Sequence, residues 1–502
     1  MSAVLALDQG TTGSTALLVG DDGVVRGRGY REIRQHYPRP GWVEHDPEEI
    51  WEATVAAARA ALGAERPVAV GITNQRETVV VWERATGIPL YRALVWQDRR
   101  TAARCRELKA AHGVEDLARR TGLVWDPYFS ATKIEWLLRE VPGLRARAER
   151  GEVVFGTVDS WLTFRLSGGA AVVTDHTNAS RTLLYNLAQR DWDAELLRLF
   201  GIPRAALPAI VPSSGVCAET AAEPFGAGIP IAGIAGDQQA ALFGQGCHAP
   251  GEAKNTYGTG AFLLMRVGDR IPDTRGRVLT TMACDARGAP ALAVEGTIFV
   301  AGAAIQWLRD GLGLVASAAE TEPLARSVED TGGVTFVPAL VGLGAPHWEA
   351  EARGTIVGLT RGTTRAHLVR AALEAMAYGT RDVVAAMTAT TGVPLRSLRV
   401  DGGAAANDWL MAYQATVLGV PVERPDVVES TALGAAGLAG LAVGVWADAS
   451  ALGGTRTYQV FDPDPAQGHA AAAGYHAWER AVRATLQWAR EVAAAPSTSG
   501  TG

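Results

Sequence analysis

Leu5-Ala6-Leu7-Asp8-Gln9-Gly10-Thr11-Thr12-Gly13-Ser14-Thr15 decides how this 502-residue chain is read. Val4 to Leu7 is an apolar run of strand length and Ala16-Leu17-Leu18-Val19 is a second, so the glycines and hydroxyls between them predict a hairpin tip. Glycine lets the backbone come close to a ligand, successive N–H groups and hydroxyls can donate to phosphate oxygens, and Asp8 can hold a hydrated Mg²⁺ beside them. Such a tip suits a nucleoside triphosphate. A polar hairpin with no ligand would have the same composition.

Two later segments extend the pattern. Asn255-Thr256-Tyr257-Gly258-Thr259-Gly260 runs into apolar Ala261 to Met265 as a second hydroxyl-and-glycine tip. Leu398-Arg399-Val400-Asp401-Gly402-Gly403 is a strand ended by a double glycine, where backbone can lie against a flat ring or ribose, and Asn407 can hydrogen-bond it near a helix N-terminus. The three in this order resemble the phosphate-1, phosphate-2 and adenosine segments of the actin, Hsp70 and sugar-kinase superfamily.

Composition narrows the alternatives. The length suits two domains of about 250 residues, and 48% apolar residues are enough for two cores. A net charge of −6 provides no positive field for nucleic acid or anionic membrane, so the expected partner is a small molecule. None of the three lysines, Lys109, Lys133 and Lys254, follows a glycine, which excludes a Walker A loop. No histidine precedes an arginine, which excludes the protein-kinase catalytic loop. Cys105, Cys217, Cys247 and Cys284 are far apart and read as buried thiols of a cytoplasmic protein. No signal peptide is expected ahead of the first strand, and the small-apolar run Ala432 to Ala447 is shorter than a membrane span and reads as a tightly packed core helix.

Along the chain, Pro47 to Leu62 has helical spacing behind Asp46 as N-cap, and Val68 to Ile72 is a buried strand. A helix is predicted from Ser130 to Arg139, and a strand and helix within Gly151 to Arg165. Ile229 to Gly236 is a small-residue strand that delivers Asp237 to the start of a helix running to Gly244. This alternation predicts an α/β fold, with chemistry at the carboxyl ends of strands. A boundary is placed at Gly244 to Gly251, giving domains 1–244 and 245–492. In the second, a helix is expected at Ala301 to Leu308, a strand at Gly333 to Pro338 and a long helix at Arg365 to Thr388. A disordered tail is expected over 493–502.

Gly354-Thr355-Ile356-Val357-Gly358-Leu359, followed by His367-Leu368 and Ala371-Ala372-Leu373-Glu374, resembles the signature of the FGGY family of carbohydrate kinases. With Leu7 to Thr12, Gly71-Ile72-Thr73-Asn74-Gln75-Arg76-Glu77-Thr78 and Gly233 to Gly244, the resemblance spans Leu5 to about Trp488 and is nearest to the members that phosphorylate glycerol. It implies two duplicated ribonuclease-H-like domains around an interdomain cleft, and transfer of the γ-phosphoryl of Mg²⁺-bound ATP to a primary alcohol. Asp237 matches the family's general base, though an aspartate there could equally cap its helix. Arg76 and Glu77 match a pair that clamps neighbouring hydroxyls; Gln238 and Tyr128 match further hydroxyl contacts, and Trp96 and Phe262 match apolar walls. Outside this context, an Arg-Glu pair reads as solvated surface and the aromatics as ordinary core. Thr11, Thr12 and Gly13 match phosphate contacts with Asp8 beside the metal, and Thr259, Gly302, Gln306, Gly403 and Asn407 match the remaining ATP positions. The resemblance also implies a homodimer or homotetramer.

The chain departs from the family at several points. Thr15, at a nucleotide-binding position, stands where many members carry an arginine that reaches the phosphates. The loop Glu223-Pro224-Phe225-Gly226-Ala227-Gly228 lacks both the arginine used for inhibition by fructose 1,6-bisphosphate and the histidine used for activation by phosphorylation, so neither control is expected. Pro463 to His476 does not resemble the docking helix for a phosphotransferase-system protein. Two other readings stay open: a kinase for another polyol or ketose such as xylulose, and a nucleotide-switching assembly or chaperone protein on the same fold.

Overall fold

Two hairpins, one at each quoted tip, start the two large sheets found among the described residues. The computed structural model describes residues 2–426, 429–453 and 457–494. Its two large sheets include β1 (Ala3–Gln9), β2 (Gly13–Gly20), β3 (Val25–Glu32), β4 (Ala69–Asn74), β5 (Ser214–Glu219), β6 (Pro230–Gly236), β7 (Glu252–Tyr257), β8 (Ala261–Arg266), β9 (Ser397–Asp401), β10 (Val422–Pro425) and β11 (Tyr458–Phe461). The helices that bear on function are α1 (Pro47–Leu62), α2 (Ser130–Glu140), α3 (Asp237–Gly244), α4 (Gly302–Asp310), α5 (Arg365–Thr391), α6 (Asp408–Leu418) and α7 (Ser430–Ala442).

The chain divides into two compact units. Unit 1 takes Met1–Ala249, Arg266–Ala293 and Glu429–Arg456; unit 2 takes Pro250–Met265, Val294–Val428 and Thr457–Gly502. Unit 1 holds a six-stranded sheet in the order β5-β6-β4-β1-β2-β3. Within it β1 runs antiparallel to β2 and parallel to β4, and β4 runs parallel to β6. Unit 2 repeats the motif, with β7 antiparallel to β8 and parallel to β9, and then β10 parallel to β9 and β11 antiparallel to β10. The two tips close alike, Gly10 N–H donating to Gly13 C=O at 2.9 Å and Gly258 N–H to Gly260 C=O at 2.8 Å.

Local chemistry sets the element ends. α1 begins where Asp46 accepts from Glu48 N–H at 2.9 Å, with Pro47 in the first turn, and ends at Gly63, over the span expected from the sequence. α5 begins with Thr364 and His367 capping each other's backbone and runs three residues past its expected end to Thr391, where Gly392 adopts a left-handed φ of 71°. The expected strand Gly333 to Pro338 is confined to Thr335–Val337, paired with Thr355–Val357. The first tip is narrower than its sequence suggests. β2 starts at Gly13, so Thr15 lies in the ladder opposite Asp8, because antiparallel pairing absorbs the β-branched residue.

The core helix expected over Ala432 to Ala447 is α7, which begins two residues earlier at Ser430 and stops at Ala442. It lies against β4, β6 and α3 in unit 1, buried along nearly its whole length. Backbone meets backbone there: a Cβ on Gly71 of β4 would fall 2.2 Å from Ala435 O, and one on Gly434 of α7 would fall 1.9 Å from Ala240 O. Cys105, Cys247 and Cys284 are buried free thiols. No helix among the described residues is long and apolar enough to cross a membrane. Of the expected tail, 495–502 lie outside the described residues.

Candidate active site

Three parallel strands of unit 1 end together. β1 ends with Asp8 and Gln9, β4 runs into Gln75-Arg76-Glu77, and β6 runs into Asp237 at the first position of α3. The registers align these ends, Asp8 beside Thr73 and Gly236 beside Asn74, so the charged residues converge at the carboxyl edge of the sheet.

Arg76 lies at the centre of this group and is almost fully buried. Its Nε is 3.2 Å from Asp237 Oδ1, Nη1 donates to Gln239 Oε1 at 3.3 Å and Nη2 donates to Tyr128 Oη at 3.4 Å. Asp237 also accepts from Gln238 N–H at 2.7 Å, so the helix-start contact and the pairing with Arg76 coexist on one carboxylate, whose side chain is 31% exposed. Glu77 adopts a left-handed φ of 63°, which costs a non-glycine residue about 1 kcal/mol or more. The turn bringing it there is closed by Thr78 N–H donating to Arg76 C=O at 2.8 Å. Trp96 stacks edge-on against Tyr128, with ring centres 5.6 Å apart, and its Nε1–H donates to Thr11 Oγ1 at 2.9 Å. One indole thus joins the expected polyol wall to the expected phosphate tip, where Thr12 is exposed and its C=O accepts from Ile33 N–H at 3.0 Å. A Cβ on Gly13 would fall 2.7 Å from Tyr30 Oη and Arg31 O, so only glycine fits there without a shift.

Asp8 is half-buried at the end of β1, and loss of water around its carboxyl, followed by the neighbouring Asp237 carboxylate, pushes its pKa up to about 7. Two carboxylates held close in this way form a hard-oxygen donor pair that a divalent cation would relieve. No group of three or more His, Cys, Asp or Glu side chains suited to a metal occurs among the described residues. The Asp8–Asp237 pair is a donor set of the kind Mg²⁺ takes, since that ion is commonly bound through one or two carboxylates with the other positions filled by water and phosphate oxygens.

In unit 2 the other expected nucleotide positions are joined by backbone. Thr259 C=O accepts from Ala301 and Ala303 N–H, at 2.9 and 3.0 Å, and Gly258 C=O accepts from Gly302 N–H at 3.0 Å, which docks the start of α4 on the second tip. Gln306 is exposed one turn further along α4. Gly402, at φ 86°, passes so close to Tyr257 that a Cβ would fall 2.3 Å from its carbonyl oxygen, and Gly403 beyond it has open space at its Cα. Asn407 caps α6, accepting from Leu410 N–H at 2.9 Å, and donates to Thr321 Oγ1 at 3.2 Å. Phe262 is half-buried on β8 opposite Thr256.

Three residues to which the sequence assigned no role belong to the site in unit 1. Arg181 Nε donates to Glu77 Oε1 at 2.6 Å, both side chains being buried, and its guanidinium lies over the Tyr128 and Phe129 rings. Lys133 of α2 is buried and donates to the carbonyls of Pro127 and Tyr128 at 2.7 and 2.8 Å, fixing the Tyr128 turn. Gln75 ties the tip to β4, its Nε2 donating to Gln9 Oε1 at 2.9 Å and Gly10 O at 3.2 Å. For Arg181 the available signal was the polar run Thr174 to Thr182, too hydrophilic for a core and too long for a tight turn.

The model for the FGGY family of carbohydrate kinases, N-terminal domain, matches residues 3–244, and that for the C-terminal domain matches residues 253–443. The chain is 57% identical to a glycerol kinase of Dechloromonas aromatica, over 97% of this chain and 98% of that protein. A glycerol kinase of Carboxydothermus hydrogenoformans is 56% identical over the same shares. The crystal structure of Plasmodium falciparum glycerol kinase with ADP superposes with a TM-score of 0.91 at 34% identity, covering 97% of this chain and 98% of that one.

Proposed function

The chain belongs to the FGGY family of carbohydrate kinases, and on that premise we propose that it transfers the γ-phosphoryl group of ATP to glycerol, giving sn-glycerol 3-phosphate and ADP. The observation that carries the proposal is the buried Arg76 paired with Asp237 at 3.2 Å and reaching Tyr128 at the carboxyl ends of the three parallel strands β1, β4 and β6. Near-full-length similarity to proteins named glycerol kinase supports glycerol as the acceptor.

In this reading Arg76 and Tyr128 donate to, and Glu77 accepts from, the hydroxyls of the triol, with Gln238 as a further contact and Trp96 as an apolar wall. Hydroxyl partners of this kind discriminate strongly, because a ligand lacking one hydroxyl leaves a buried group unpaired. The attacking hydroxyl forms its bond to the γ-phosphorus as the bond from that phosphorus to the β–γ bridging oxygen breaks. Its proton passes to Asp237, late, as the oxygen gains acidity. Thr11, Thr12 and Gly13 in unit 1, with Thr15 at the adjoining position, are assigned to the phosphates. Thr259, Gly302, Gln306, Gly403 and Asn407 in unit 2 are assigned to the rest of the nucleotide. Asp8 would hold Mg²⁺, which when bound supplies charge neutralisation along the phosphates. The family resemblance supports a cytoplasmic homodimer or homotetramer.

The test is ADP release from ATP and Mg²⁺ with glycerol, xylulose or no acceptor, in wild type and Asp237→Asn. Stimulation by glycerol alone, reduced about 10²- to 10⁴-fold by the substitution, is expected. Equal ATP hydrolysis with and without acceptor would sink the proposal and favour a switching ATPase.

A further inference from the structure

Asp175 is fully buried, and no arginine or lysine forms an ion pair with it among the described residues. Instead it accepts five hydrogen bonds from neutral donors. Oδ2 takes Thr177 N–H at 2.9 Å, Thr177 Oγ1 at 2.7 Å and Ser213 Oγ at 2.7 Å; Oδ1 takes Asn178 N–H and Asn178 Nδ2, both at 2.9 Å. A carboxylate removed from water is costly unless it is fully hydrogen-bonded, so these donors are held in fixed orientations.

The orientation of Thr177 is the one that matters for the site. Its single hydroxyl proton is committed to Asp175, which turns a lone pair toward Gly236, and Gly236 N–H donates to it at 2.8 Å. Gly236 is the last residue of β6 and immediately precedes Asp237. The β5 strand stops short of this point, its pairing ending at Ser214 opposite Gly233, so the Thr177 hydroxyl supplies the acceptor that a neighbouring strand would have given. Ser213, also bound to Asp175, accepts Ile234 N–H through its carbonyl at 2.9 Å, which anchors β6 at a second point. On the other side Asn178 and Asn74 exchange side-chain amide hydrogen bonds at 3.0 and 3.1 Å, at the end of β4 just before Gln75 and Arg76.

We propose that Asp175 and Thr177 form a positioning device for Asp237, setting the height of its carboxylate at the end of β6 through the Gly236 N–H. The proposal rests on the reading of Asp237 as the proton acceptor. It makes Thr177 a positioning residue, acting on the reaction only through the backbone that carries Asp237.

The experiment measures glycerol-dependent ADP release by Thr177→Val, Thr177→Ser and Asp175→Asn, each alone, with Thr177→Val also combined with Asp237→Asn. Misplacement by about 1 Å can cost on the order of 100-fold. Thr177→Val and Asp175→Asn are therefore expected to lower kcat about 10- to 100-fold with the KM for ATP within about twofold of wild type. Thr177→Ser, which keeps the hydroxyl, is expected within about threefold of wild-type kcat. Added to Asp237→Asn, the valine substitution is expected to cost less than about twofold more, because the group it positions no longer takes the proton. An equal loss in both backgrounds, or a folded Thr177→Val enzyme within threefold of wild type, overturns the proposal while leaving the kinase reading intact. If Asp237→Asn itself retains full glycerol-dependent turnover, the assignment of the base falls and this inference falls with it.

Discussion

Gly434→Ala tests whether backbone contact between α7 and α3 holds the candidate site in place. On helix propensity alone the change should stabilise by about 1 kcal/mol. The added Cβ, however, would fall 1.9 Å from Ala240 O and 2.6 Å from Ala240 C, and the obstacle is backbone, with no side chain able to rotate away. The opposing contact is equally tight, since a Cβ on Gly244 would fall 2.0 Å from Ser430 O. Restoring ordinary separation would push the helices apart by roughly 1.3 Å, and a gap of about 1 Å already forfeits up to half of the dispersion energy along the contact. Overpacking of this kind costs about 1–3 kcal/mol, more where backbone must move, so a net loss of about 2 kcal/mol is expected after the propensity gain. For a unit of this size that is a fall of roughly 4 °C in Tm. Gly379→Ala is the control: it lies inside α5, its nearest contact would be Ile298 Cδ1 at 3.7 Å, and a gain of about 0.5–1 kcal/mol is expected. Thermal unfolding followed by tryptophan fluorescence, with glycerol-dependent ADP release, reads both. Because α3 begins with Asp237, Gly434→Ala should also lower turnover. A Gly434→Ala protein at least as stable as Gly379→Ala would refute the reasoning.

Two further outcomes are expected. Arg181→Met removes one partner of the buried pair with Glu77 and should destabilise by about 3 kcal/mol. It should raise the KM for glycerol more than that for ATP, and equal changes in both would count against a role at the polyol site. His45 is buried with its Nδ1 3.3 Å from Gln75 Nε2, and burial, followed by the nearby His36, lowers its pKa to about 4. A histidine whose pKa is depressed in the folded state favours folding above its unfolded value near 6.5, and that advantage is lost as pH falls toward 4. Between pH 7 and 5 the stability of wild type should therefore drop by about 2 kcal/mol relative to His45→Gln. Denaturant titrations of both proteins at the two pH values check this, and parallel curves would show that the ring is already charged or exposed.

The sequence made the strand-tip-strand units legible because apolar runs and glycine-hydroxyl turns are local signals. α1 came out with its cap and both ends for the same reason: Asp46, Pro47 and Gly63 all act within a turn of the helix end. The FGGY resemblance supplied roles for Asp237, Arg76 and Glu77, which spacing alone would not have joined. What stayed hidden depended on distant pairing. Nothing near Arg181 announces that Glu77, over a hundred residues earlier, will take its Nε–H. Nor does Thr177 announce that its hydroxyl will substitute for a missing strand beside Gly236. The same limit applies to α7: its apolar, small-residue composition showed that it would be buried, but not that it would pack into the unit formed by the start of the chain.

That packing has a consequence for synthesis on the ribosome. The glycine-lined face of β4 and β6 is complete once Ala249 has emerged, yet the helix that covers it begins only after roughly 180 further residues. At about 5–20 residues per second, that face waits roughly 10–35 s for its cover. During that interval the nascent first unit exposes the apolar surface on which chaperones act, and a chain released before Ser430 would carry every residue assigned to proton transfer while lacking the helix that seats them.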